Sequence, residues 1–519
     1  MNLLNMFSSL NKTSSKTSKE VADLELGSHS SSNIDHRSSI NEKKEQEEHV
    51  ISSIVDLISP DHPAHPQNWP WWKRWLIMIV YCALQIYVIW TSNAYGSISE
   101  SVGDHFHVSP QVSTLNLSMN ILGSGLGPMF LGPLSDINGR KPVYFFSILL
   151  YVIFNISCAL PRNIVQMVIS HFIIGLAGST ALTNVAGGIP DIFPDDKSGT
   201  PMSLFVWACA GGSIGAPMAT GVDSNPKFGW RWVYYINIIV GGFFLFVIFL
   251  CPETLPIKVI SRYEIAKGRT IETLPKVTTK QVFQNIKFIS TMGFRMIFTE
   301  PIIITMGLYN FYAYGISYFF LAAIWPVFNG TYRMSYMGAS CTYLAGLVAY
   351  SVLFCYQPIQ DWIFRRSKKN NHGVAVPEVR FTSSLFFTLL FPAGMFLFAF
   401  TCSPPFHWMV PIVGLAMSSV ANSHNWLCIL NYLTDCYPII SASSVAAFTL
   451  PSFVGAAVFA HISIIMFDRM TTRWAVATMA FISITIPFII YSFYFFGDKI
   501  RARSALTGTK AIKYLPISD

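Results

Sequence analysis

Long apolar stretches separated by short polar connections dominate the chain from about residue 75 onward. Twelve can be marked, at 75–95, 112–134, 142–160, 164–188, 202–222, 232–251, 301–325, 335–357, 383–402, 408–432, 441–466 and 474–497. Each is close to the roughly 20 apolar residues a helix needs to cross the hydrocarbon of a bilayer. A soluble core has no use for so many. In hydrocarbon every backbone group must find its partner inside its own segment, so each run is predicted to be a helix. The pattern therefore predicts an all-α membrane protein with twelve transmembrane helices. Residues 1–70 differ: they are polar and Ser-rich, with "NEKKEQEEH" at 41–49. Such a stretch cannot bury enough apolar surface to fold and is expected to be a disordered tail. At its end "HPQNWPWWKRW" (65–75) suits a headgroup-level anchor.

Composition agrees with the pattern. Charged residues make up 12% of the chain, about half the share in soluble domains. The net charge of +8 is gathered in a few connections rather than spread over a surface, which argues against a nucleic-acid partner. Arg140 and Lys141 follow the second run, eight Lys and Arg fall in 252–299, four lie at 365–369 and five in the C-terminal tail. The connection "SISESVGDHFHVSP" at 97–110 has none. Basic residues mark the cytoplasmic side, so both termini are expected there. The nine cysteines sit in or beside apolar runs without metal-ligand spacing and read as small buried hydrophobes. No metal and no cofactor is expected, and no phosphate-binding loop marks a nucleotide-driven pump.

The basic stretch 252–299 divides the runs six and six. The expected organisation is a tail at 1–70, one six-helix half at 71–251, a central loop at 252–299, a second half at 300–498 and a tail at 499–519. Each half repeats a detail. Asp136 and Arg140 follow the second run of the first half; Asp361 and Arg365 stand at the same place and spacing in the second. Two parallel halves with a substrate site between them is a recurrent transporter plan. In "LGPLSDINGRKPVYF" (131–145), Gly139 allows a tight turn. Asp136 can accept from the N-terminus of a neighbouring helix. Arg140 and Lys141 can pair with acids such as Asp191 or Glu253. This is either a charged latch that breaks when that face opens or a basic loop that only sets orientation.

"GPLSDINGRKP" resembles the signature loop of the major facilitator superfamily. "PET" at 252–254, "GWRWVYYIN" at 229–237 and "YLTDCYP" at 432–438 are similar to the fungal branch of the twelve-spanner drug:proton antiporters. The resemblance covers about 65–500. It implies the major-facilitator fold, twelve transmembrane helices in two six-helix halves, and gating by Asp136, Gly139, Arg140 and Lys141, with Asp361 and Arg365 as counterparts. Ile137 stands where the family often has a polar residue. "GGSIGAPMATG" (211–221), with Gly211, Gly215, Pro217 and Gly221, suits close helix packing and a kink. It also resembles the antiporter signature of the fifth helix, with Ala216 in place of a Gly.

An ionisable group inside a span is a functional candidate. No Asp or Glu lies at the centre of a run, so proton-coupling candidates are His171, His424 and His461, with Asp191 at a border. His171 occupies a place where the family usually has Arg; it is either a proton carrier or a neutral histidine bonded to a neighbouring helix. Candidate cavity residues are Gln85, Asn93, Asn116, Asn120, Tyr309, Asn310, Tyr314, Tyr318 and Asn425. Aromatic faces with amide partners suit a flat, weakly polar or cationic guest. A membrane acyl transferase using His424 is disfavoured by the absence of paired acids or a nucleophile elbow. The leading expectation is a monomeric plasma-membrane exporter of hydrophobic or cationic small molecules driven by proton antiport, with a vacuolar location as the alternative. The competing expectation is an uptake carrier or facilitator for a nutrient such as a sugar or amino sugar.

Overall fold

The computed structural model describes residues 62–194, 199–268, 279–370, 377–437, 440–504 and 506–507. Residues 1–61, part of the central loop and most of the C-terminal tail lie outside them. The described residues form helices and no strand. The spanning helices of the first half are α1 (Trp71–Phe106), α2 (Pro110–Asn138), α3 (Arg140–Ala159), α4 (Ile164–Ile192), α5 (Gly199–Asp223) and α6 (Arg231–Leu250). Two connecting helices follow, α7 (Pro256–Ala266) and α8 (Thr279–Thr299). The second half holds α9 (Pro301–Thr331), α10 (Tyr336–Ser367), α11 (Ser384–Thr401), α12 (Met409–Cys436), α13 (Ser441–Arg469) and α14 (Thr472–Arg503).

Ten of these twelve are long and apolar enough to cross a membrane by length and composition alone. The other two, α2 and α12, have the length but carry Ser113, Asn116, Ser118 and Asn120, or Ser418, His424 and Asn425, buried against neighbours. Their polar side chains face protein, so a hydropathy average understates them. Outward faces carry exposed Phe243, Phe246 and Phe249 on α6 and Phe488 and Phe495 on α14. Trp71 and Trp72 are exposed at the start of α1, where an interfacial belt belongs.

The two halves repeat one packing scheme. In the first, α2 packs on α4, α3 on α4 and α6, and α1 on α5. In the second, α10 packs on α12, α11 on α12 and α14, and α9 on α13. Matching glycines allow the tightest approaches: a Cβ on Gly215 of α5 would strike the Trp90 carbonyl of α1, and one on Gly455 of α13 the Phe311 carbonyl of α9. Each half has its own large buried apolar cluster. The halves meet where α2 runs along α13 and α5 along α10, while α8 lies on α2 and α13. The face bearing α7 and α8 is called the linker face below.

Several expectations need correction. The connection at 97–110 is mostly helix, because α1 continues to Phe106 as Ser, Asp and His side chains follow helical geometry beyond the apolar run. The basic stretch 252–299 is not simply a loop, since α7 and α8 occupy much of it. Residues 62–69 of the expected tail are docked: Gln67 Nε2 donates to the Pro190 carbonyl at 2.8 Å, and Arg74 Nη1 to the Gln67 carbonyl at 3.1 Å. Burial and the nearby His62 push His65, in this strap, below its ordinary value. In α5 the departure from α geometry is a 3-10 turn at Cys209–Gly211, ahead of Pro217, which sits inside regular helix. Cys341 and Cys355 are exposed rather than buried.

Candidate functional site

The charged loop folds into one compact node within the first half. Gly139 ends α2 with φ 102°, a conformation that favours glycine, and a Cβ there would lie 2.5 Å from Glu253 Oε2. The turn aims the first amides of α3 at that carboxylate. Glu253 Oε1 accepts from the backbone N–H of Arg140 at 2.8 Å, of Thr254 at 2.9 Å and of Leu255 at 3.0 Å; Oε2 accepts from Lys141 N–H at 3.3 Å. A buried anion thus caps the positive end of α3. Lys141 Nζ donates to the Phe249 carbonyl at 2.7 Å, at the negative end of α6. The Arg140 side chain, 6% exposed, pairs with Asp136 at 2.6 Å and with Asp191 at 3.1 Å, and reaches the Gly187 carbonyl at 3.2 Å. Glu253 therefore meets backbone, not the basic side chains the sequence suggested for it. The node ties α2, α3, α4 and the end of α6 together and does not itself cross between halves.

The second half departs from the expected repeat. Arg365 is exposed and donates to the backbone carbonyl of Asp361 at 3.3 Å. The residue placed like Arg140 is Arg380, just ahead of α11, which pairs with Asp435 at 3.0 Å and lies 3.5 Å over the Phe364 ring. Sequence spacing pointed to Arg365 because the connection after α10 is longer than that after α2. Asp361 points across to the first half: a Cβ on Gly199, at the start of α5, would lie 2.9 Å from Asp361 Oδ2. Asp361 thus bridges the halves at the linker face, where Ser290 Oγ of the connecting helix α8 also donates to the Met129 carbonyl at 3.3 Å.

The three span histidines have different settings. His171 is buried inside the first half, its Nδ1 2.9 Å from the Met167 carbonyl and its Nε2 3.2 Å from the Tyr234 hydroxyl. A carbonyl only accepts, so Nδ1–H donates and Nε2 accepts from Tyr234, which satisfies a neutral ring. His424 is buried inside the second half, 2.9 Å from Ser383 Oγ, which also bonds Gln360. His461 stands at the boundary between α13 and α2. Among the described residues no cluster of three or more His, Cys, Asp or Glu is placed to hold a metal ion.

The cavity candidates divide likewise. Asn116 donates to Tyr95 at 2.9 Å, and Asn120 accepts from Ser92 at 2.5 Å, both within the first half. Tyr309, Asn310 and Asn425 are buried within the second, where neither amide nitrogen has a partner. Asn93 lies against Gly212, as Gly211 lies against Ile86 and Gly215 against Trp90; this glycine face seats α5 on α1. Gly221 instead faces Met337 of α10.

Only Gln85, Tyr314 and Tyr318 join a cluster shared by both halves. Gln85 Nε2, on α1, is 3.7 Å from Cys209 Sγ at the 3-10 turn of α5. Cys209 lies near Tyr314 of α9 and Tyr350 of α10; Tyr350 packs against the first half's buried cluster, and Tyr314 and Tyr318 pack with Ile121 of α2. Tyr314 packs edge-on to Tyr318 and to Phe453 of α13, with ring centroids 5.4 and 5.7 Å apart. Trp207 Nε1 donates to Ser351 Oγ at 3.1 Å and Asn422 to Ser317 Oγ at 3.0 Å nearby in sequence. Gln85 Oε1 is fully buried and has no partner. Cys209, Tyr350 and Phe453 escaped the sequence reading, because each looks like ordinary span packing until the halves are brought together.

The profile of the family described as Major Facilitator Superfamily matches residues 76–450. The chain is 71% identical over 513 residues to the Vitamin B6 transporter bsu1 of Schizosaccharomyces pombe, covering 98% of each. It is 30% identical over 468 residues to the Major facilitator superfamily multidrug transporter FLU1 of Candida albicans, covering 87% of this chain and 75% of the other. Among solved structures, the proton:xylose symporter XylE superposes with a TM-score of 0.57 at 14% identity, over 81% of this chain and 96% of that one. The vitamin B6 relative overturns the expectation of drug export. The loop motifs behind that expectation report how the halves move, whereas cargo is set by a few side chains between them.

Proposed function

Since the chain belongs to the Major Facilitator Superfamily, we propose that it is an uptake carrier for vitamin B6, working by alternating access. The observation that carries this reading is the 71% identity, over 98% of both chains, to the vitamin B6 transporter of S. pombe. The central cluster supports it chemically. Vitamin B6 compounds are small flat pyridines bearing hydroxyl groups. Tyr314, Tyr318 and Phe453 offer ring faces and edges, and the unpartnered Gln85 Oε1 offers an acceptor for a hydroxyl or ring N–H. No carboxylate of the described spans stands in this cluster, which favours a guest without obligate positive charge.

In this proposal the halves at 71–251 and 300–498 rock about the cluster, and the linker face is cytoplasmic, as its Lys and Arg content supports. The plasma membrane and proton coupling belong to the same proposal. Common descent with the twelve-spanner drug:proton antiporters, supported by the 30% identity to the multidrug transporter, concerns the machinery rather than the cargo. The test is uptake of radiolabelled pyridoxine into proteoliposomes, with and without an inward proton gradient. Saturable uptake competed by unlabelled pyridoxal is expected, and acceleration by the gradient marks coupling. Uptake no greater than in protein-free liposomes would overturn the proposal.

A further inference from the structure

Of the three span histidines, His461 alone is held by the opposite half. Its partner helix α2 supplies Gln111 and Ser118. The Gln111 amide is oriented by its second contact: Nε2 donates to the His461 carbonyl at 3.4 Å, leaving Oε1 2.8 Å from Nδ1. An amide oxygen only accepts, so Nδ1 carries a hydrogen in this arrangement. Nε2 stands 3.0 Å from Ser118 Oγ, which can donate to it. The neutral ring is therefore satisfied at both nitrogens, by two neutral side chains.

A second proton changes the balance. Ser118 would have to turn its hydrogen toward the Ala457 carbonyl, 3.3 Å away, and a cation would sit half-buried between α2 and α13. Among the described residues no counter-ion is placed for it. Along α2 the one charged residue is Asp136, at the far end, and α9 offers Tyr309, Tyr312, Tyr314 and Tyr318 but no charge over Pro301–Ala322. On α13 itself the charged residues are Asp468 and Arg469 at its end; α12 carries His424 and Asp435 toward the linker face, and α14 begins near Arg473. A cation without a partner is less favoured on the half-buried ring of the closed arrangement than on a ring parted from α2 and fully solvated.

We propose that His461 is a protonation-sensitive latch between the halves at the face away from the linker: neutral, it holds α13 to α2, and protonated, it releases them. Closure is then fully present above the ordinary histidine range and is lost as pH falls through about 6.5. Mass action then lowers the closed-to-open ratio between pH 7.5 and 5.5, by up to about tenfold when the closed arrangement takes no second proton.

The test requires no substrate. Spin labels are placed at Ser109 and Met470, with the exposed Cys341 and Cys355 replaced by Ser, in the full chain in lipid nanodiscs. Pulsed-EPR distances give the closed and open populations. Wild type is expected to shift toward the longer distance by severalfold, up to about tenfold, from pH 7.5 to 5.5. His461→Gln, which cannot titrate, is expected to be flat. His461→Arg, a fixed cation, is expected to populate the long distance already at pH 7.5. A flat wild-type profile, a pH shift that survives in His461→Gln, or a closed His461→Arg would each overturn the latch.

Discussion

At the residue scale, the node around Arg140 is a backbone-capping device as much as an ion pair. Glu253 accepts four N–H groups, three of them through Oε1. Replacing it with Gln turns one oxygen into a donor facing a donor. The expected cost is about 1–3 kcal/mol for a buried group left unsatisfied. A lower melting temperature of the Glu253→Gln variant in detergent checks this. Gly139→Ala is expected to cost a similar amount: at φ 102° an added Cβ is strained, and it meets the same carboxylate. The Gly139 turn and the basic pair were legible in "DINGRKP" because they are local. The role of Glu253 was not, because the α3 amides it caps lie 113 and 112 residues away, and backbone amides leave no mark in sequence. In the central cluster, Gln85→Leu keeps the volume and removes the free acceptor. If Gln85 recognises the cargo, KM for pyridoxine rises roughly tenfold while expression is unchanged, the usual loss for one hydrogen bond to a neutral group. An unchanged KM would remove Gln85 from the site.

At the scale of elements, hydropathy located the spans because a lipid-facing helix must be apolar; α2 and α12 show as long runs, though their polar, protein-facing residues lower their average below that of the other ten. It failed at helix ends, since water and lipid permit helix equally and only the lipid part is written in apolar residues; hence the hidden last turns of α1. Pairing within the second half was misread for a related reason. Equal spacing in sequence does not mean equal placement when the connection between helices changes length. Arg380 comes from the 3-10 turn ahead of α11 and meets Asp435 there, whereas Arg365 points outward. The two arginines make a paired prediction. Arg380→Gln is expected to lower the uptake rate about tenfold, because a partly buried ion pair and a stacked ring are lost together. Arg365→Gln is expected to stay within about twofold, as exposed pairs contribute little. Rates measured in matched proteoliposomes decide between the positions.

At the scale of the molecule, the described arrangement is bridged at both faces: Asp361 over Gly199 at the linker face, with α8 laid on α2 beside it through Ser290 and Met129, and His461 to Gln111 and Ser118 at the other. Rocking of the halves must break one set while keeping the other, so a covalent tie at one face should arrest turnover. Met129 and Gly293 suit such a tie, since a Cβ on Gly293 would lie 3.0 Å from Met129 Cε. With both replaced by Cys, and Cys341 and Cys355 by Ser, a short bis-methanethiosulfonate joins α2 through reducible disulfides to α8, the helix that leads directly into α9 of the second half. Uptake is expected to fall below about a tenth of the untreated rate and to return when a reductant cleaves the bridge, because a carrier held in one state binds but cannot turn over. The pH-dependent distance change between Ser109 and Met470 is expected to persist in the cross-linked protein, since the opposite face remains free. Undiminished uptake in fully cross-linked protein would show that cargo crosses without parting α2 from α8, and the path would then have to lie along the α5–α10 seam alone.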